Sequence, residues 1–125
     1  MKLITIDDLL LKAKENEKAE KIRIEVSELG GVLEFEKLDR RTYLDLMFGA
    51  NTDRDAEIIY TCCPMLHDDK LITSLECKDN PVEVVGKLLS GKAIFKLATL
   101  ILEESGYTPK VGENIVAVVK DDIKN

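Results

Sequence analysis

The chain has 125 residues, 45% of them apolar and 34% charged, with 24 acidic against 18 basic residues and a formal charge of −6. That length suits one domain with a core of its own. The acidic balance, with no basic cluster, excludes nucleic-acid binding by phosphate neutralisation. The uncharged apolar run Leu97–Leu102 falls far short of the ~20 residues that a spanning helix needs.

No basic segment followed by an apolar run opens the sequence, so no secretory signal is expected. Cys62, Cys63 and Cys77 are an odd number of cysteines, which fits free thiols in a reducing cytoplasm better than a disulfide framework.

In chain order, Thr5 with Asp8 three residues later has the form of a capping box. Ile6, Leu9, Leu10 and Ala13 follow at helical spacing, which predicts a helix over about 5–16. Ile22, Ile24 and Val26 then alternate with Lys21, Arg23 and Glu25, and Val32 to Glu36 form a second extended run. Together with Gly30-Gly31 between them, these predict a β-hairpin within 21–38. A turn centred between Leu29 and Gly30 would set Val26 opposite Leu33, Ile24 opposite Phe35 and Arg23 opposite Glu36, with Glu25 facing Glu34 as the one unfavourable pair.

The remainder, 39–125, reads as mainly helical. Asp39 can cap a helix through Phe48, closed by Gly49. Asn51 or Thr52 can start a second helix, which must end before Pro64. Leu71, Ile72 and Leu75 suggest a further turn or two. Asn80-Pro81 has the form of a cap followed by an N1 proline, and Gly91 is placed to stop or kink the helix that follows. The segment from Ala93 to Leu102 is apolar almost all round, which predicts a helix at the centre of the core, with Gly106 as its stop. Ile115, Val118, Val119 and Ile123 fit a helical stripe, although their β-branched content leaves a strand open. The expected architecture is α+β: an N-terminal helix and a β-hairpin, followed by a bundle of short helices in a single domain over 1–125.

Chemistry is harder to assemble. His67 is the one histidine, and a base–nucleophile pair with Cys62 or Cys63 competes with an exposed loop histidine, which suits its polar surroundings better. The cysteines lack the spacing of a zinc knuckle and read as small buried hydrophobes. No glycine-rich loop opens a helix after a strand. No catalytic, metal or cofactor residues are therefore assigned. The surplus apolar residues available to a partner are Met47 and Phe48 near a helix end, together with Ile115, Val118, Val119 and Ile123.

Five ordered segments carry a likeness: Ile24-Glu25-Val26-Ser27-Glu28-Leu29-Gly30-Gly31, then Leu38-Asp39-Arg40-Arg41-Thr42-Tyr43-Leu44-Asp45-Leu46-Met47, Asp55-Ala56-Glu57-Ile58-Ile59-Tyr60, Leu102-Glu103-Glu104-Ser105-Gly106-Tyr107, and the terminal Ile123-Lys124-Asn125. In this order and spacing the chain resembles the XkdN-like tail assembly chaperones of contractile-tailed phages and prophages of Gram-positive bacteria. The resemblance implies a factor in the cytoplasm of the bacterial host that is not an enzyme and uses no cofactor. Such a factor would bind the tape measure protein, with the tail-tube protein as a second candidate partner, and would act without nucleic acid or membrane. A structural tail completion component and a small thiol-dependent enzyme are the competing expectations.

Overall fold

The computed structural model describes residues 2–17 and 21–107. Helix α1 (Ile6–Glu17) is followed by strands β1 (Lys21–Val26) and β2 (Gly31–Glu36), then by helices α2 (Arg40–Phe48), α3 (Arg54–Cys62), α4 (Asp69–Ser74), α5 (Glu83–Leu88) and α6 (Gly91–Glu104). A hairpin followed by short helices is the α+β arrangement that the patterning predicts.

Caps explain most of the boundaries. In α1 the Thr5 N–H donates to Asp8 Oδ2 at 2.9 Å and the Asp8 N–H to Thr5 Oγ1 at 3.2 Å, a reciprocal pair that removes two orphan donors. Asp39 accepts from the Thr42 N–H at 2.8 Å and starts α2. Gly49 ends α2 in extended backbone, where a Cβ would collide with the Asp45 carbonyl. Helix α3 starts one to two residues later than predicted: Asp53 is its cap, accepting from the Ala56 N–H at 3.1 Å, rather than Asn51 or Thr52. A carboxylate accepts at least as well there, and Asn51 instead donates to the Leu46 carbonyl at 2.9 Å.

Two further boundaries differ from expectation. Asn80-Pro81 belongs to a turn, and α5 begins at Glu83. Gly91 is the first residue of α6, because the Ser90 hydroxyl accepts from the Ala93 N–H at 3.2 Å and caps that helix. Helix α6 ends at Glu104 with Gly106 at φ +89°, and the Tyr107 N–H bonds back to the Leu102 carbonyl at 2.9 Å. Helix α4 ends in a similar way on a non-glycine residue. Glu76 sits at φ +58°, and the Cys77 N–H reaches the Ile72 carbonyl at 2.9 Å.

The hairpin register corrects the expected one by two residues. Lys21 lies opposite Glu36, Ile22 opposite Phe35, Arg23 opposite Glu34, Ile24 opposite Leu33, Glu25 opposite Val32 and Val26 opposite Gly31. The connection is a four-residue loop: a 3-10 turn over Ser27–Leu29 closed by Gly30 at φ +74°. A two-residue shift keeps every side chain on its face. It also separates Glu25 from Glu34 and places Arg23 Nε 3.1 Å from Glu34 Oε2.

Packing centres on α3, which lies against α2, α5 and α6. Phe35, Ile58, Ile59, Val84, Val85 and Ile101 are fully buried. Helix α6 is not enclosed as its composition suggested. Leu97, Ala98 and Ile101 are buried, but Phe95 is 66% exposed. Polar links join the hairpin and the segment after it to the α6 region: the Leu38 N–H donates to Ser105 Oγ at 3.0 Å, and Glu28 accepts from the Ser90 N–H at 2.9 Å and from its hydroxyl. Tyr43 of α2 stacks on Tyr107, just past α6, with centroids 4.1 Å apart.

Candidate partner-binding surface

Helix α1 differs from each of the described α-helices that follow it, all of which bury at least one residue: none of its twelve residues is buried. Its local chemistry is nevertheless that of a well-started helix, with Asp7 and Asp8 in the first turn, near the positive end of the dipole. The Lys2 ammonium, 2.7 Å from Asp8, and the Thr5 N–H and hydroxyl together hold the Asp8 carboxyl below its ordinary range.

Ile6, Leu9 and Leu10 recur at helical spacing, and Leu3 and Ile4 precede them. All five, with Leu11, are between 55% and 90% exposed. Fully burying a side chain of this kind is worth about 1.5–3 kcal/mol, and no described residue of the chain buries these. Contiguous exposed apolar surface of this sort marks an interaction site. The signal was present in the sequence as helical spacing, but the spacing gives the apolar face without saying whether the fold covers it.

The predicted partner residues fare differently. Phe48, at the C-terminal end of α2, is 84% exposed. Met47 beside it is half-buried and packs on the core, so it is largely a core contact. Ile115, Val118, Val119 and Ile123 lie outside the described residues. Met65 and Phe95 add two exposed apolar side chains that sequence reasoning did not single out.

The thiols and the histidine do not meet as a pair. Cys62, Cys63 and Cys77 are free and buried. Burial pushes the Cys62 thiol up to about 12, and burial also raises Cys63, so both stay protonated at neutral pH. Cys63 Sγ donates to the Glu34 carbonyl at 3.7 Å and Cys77 Sγ to the Leu75 carbonyl at 3.3 Å. His67 donates from Nε2 to the Tyr60 carbonyl at 2.6 Å and stacks on the Tyr60 ring, with centroids 4.1 Å apart. Its hydrogen-bonded nitrogen is thereby committed to main chain. Among the described residues no group of three or more His, Cys, Asp or Glu side chains could hold a metal ion. None of the described helices is long and apolar enough to cross a membrane.

No family model matches the chain, and no curated protein or solved structure shows significant similarity to it.

Proposed function

We propose that this chain is a tail assembly chaperone of a phage or prophage, acting in the host cytoplasm, which binds the tape measure protein and keeps it soluble until tail-tube subunits polymerise around it. One observation carries a binding role: α1 is a capped helix whose apolar residues are all presented to solvent. A helix that buries none of its residues among the described part of the chain is suited to lie along another. The segment likeness to the XkdN-like chaperones supplies the identity of the partner. A long helical client with apolar stretches needs cover before assembly, and a small acidic helper keeps the complex soluble. The buried thiols favour this reading over thiol chemistry.

The test is co-expression with the tape measure protein of the same phage, read by solubility and co-elution. The chain should hold its client in the soluble fraction. A Leu9→Asp/Leu10→Asp variant should lose co-elution while its own melting temperature stays unchanged, because neither side chain is buried. Salt should weaken the complex only modestly, since apolar burial is not screened. If no client fragment is retained and the client is equally soluble alone, the reading fails.

A further inference from the structure

Among the described residues the sheet has only two strands, so the outer edge of β1 has no strand partner there. Such an edge presents a row of unpaired N–H and C=O groups. Two adjoining depressions, of about 540 and 480 Å³, share Ile24, Glu25 and Leu100 and form one open trough between β1 and α6. Residues from both faces of β1 line it: half-buried Ile24 of the core face, and exposed Arg23 and Glu25 of the solvent face. That places the trough at the strand edge. On the α6 side it is lined by Lys96, Leu100 and Glu104. Leu100 is half-buried and is not among the apolar side chains packed on the core.

We propose that this trough takes the same edge of a second copy of the chain, in an antiparallel pairing whose two-fold axis passes through Ile24. The sequence of β1 pairs with itself in that register. Ile24 meets Ile24 of the second copy once, on the axis, while Ile22 meets Val26 and Arg23 meets Glu25 twice each by symmetry, as an isologous interface requires. Registers that keep the faces but move one step either way set Arg23 against Arg23 or Glu25 against Glu25. Odd slips set apolar residues against charged ones.

The same axis makes α6 antiparallel to its copy. Leu100, beside Ile24 in the trough, then lies near its own mate. Lys96 and Glu104, one turn to either side of Leu100, come opposite their counterparts of opposite sign. Two observations, on a strand and on a helix, therefore share one axis. The lining carries both signs, with Lys21, Arg23 and Lys96 beside Glu25, Glu28 and Glu104, so a partner that presents the same mixture suits it better than a chain of one sign. The result is a four-stranded sheet in the order β2-β1-β1-β2 with both inner faces on the same side. The inference does not depend on the identity of the chaperone's client.

Sedimentation velocity on the full chain tests this. Wild type should sediment as a species of twice the 14.0 kDa chain mass. Arg23→Glu alone and Glu25→Arg alone should each dimerise at least about tenfold more weakly, because each puts two like-charge pairs across the axis. An equimolar mixture of the two should recover the dimer, since every cross-strand pair is then opposite in sign. Arg23→Glu also removes the Arg23–Glu34 ion pair within the hairpin, so Leu100→Lys serves as a second variant, expected to be monomeric with unchanged circular dichroism. A monomeric wild type at every concentration overturns the proposal, as does a mixture that stays monomeric. A dimer that survives these changes but is lost in Leu9→Asp/Leu10→Asp also overturns it, because the contact then belongs to α1.

Discussion

Helices α1 and α3 begin alike and end up in opposite environments. Each starts on a side-chain cap, Thr5 with Asp8 in one and Asp53 in the other, and each carries acidic residues in its first turn. Helix α3 buries Ala56, Ile58, Ile59 and Cys62, whereas α1 buries nothing. Caps and dipole therefore determine where a helix starts, but not whether it belongs to the core. That depends on what stands opposite its apolar face. For α3 these are α2, α5 and α6. Isolated helices of α1's length are marginal in water, so a helix like α1 gains most of its stability once a partner covers it.

The largest expected effect sets a core residue against a surface one. Ile59→Ala should cost about 2–5 kcal/mol in chemical denaturation, through lost transfer energy and a residual cavity, because Ile59 is fully buried. Leu10→Ala should stay within about 0.5 kcal/mol. Equal losses would show that α1 is part of the cooperative unit, and the contrast would disappear.

Removing caps should give a smaller effect. Asp53→Ala should lower global stability by about 1 kcal/mol, because α3 is tied to the core. Thr5→Ala should reduce helical circular dichroism without moving the melting temperature, and the amides of α1 should exchange with solvent much faster than those of α3. Amides protected equally in both helices would contradict this.

The smallest effect is on acid stability. Glu28 is held below its ordinary range by the Ser90 hydroxyl and N–H, and Asp39 by the Thr42 N–H and side chain. A carboxyl with a lowered folded pKa contributes stability at pH above its unfolded value, and that contribution is lost as pH falls through the folded value. The melting temperature should therefore drop on acidification below the ordinary carboxylate range, and Glu28→Gln should flatten part of that drop. Asp8 is lowered too, but it lies on α1, so its protonation should reduce helicity and leave the melting temperature alone.

Much of this fold was legible where a single residue type does one local job. Asp39 as a cap, Gly30 and Gly106 at positive φ, and the alternation of β1 could all be read directly. The hairpin register could not, because a two-residue shift preserves the apolar face, and the choice lay with the Ser27–Leu29 turn and the Arg23–Glu34 pair. Glu76 at φ +58° was invisible for a different reason: glutamate carries no signal for a left-handed helix end. In the candidate surface, Phe48 was readable as a surplus aromatic, whereas its neighbour Met47 turned out to pack on the core.

The division between what the sequence determined and what the tertiary structure decided follows the range of the forces. Capping, strand alternation and helix-ending glycines act within about four residues, so the linear order of residues was enough to place most elements and to make the class α+β. Burial is a property of two surfaces meeting. The sequence supplied Ile6, Leu9 and Leu10 on α1 and Ile58 and Ile59 on α3 as equally apolar candidates. Only the fold decided that α3 would be enclosed by three other helices while α1 kept its apolar face in solvent.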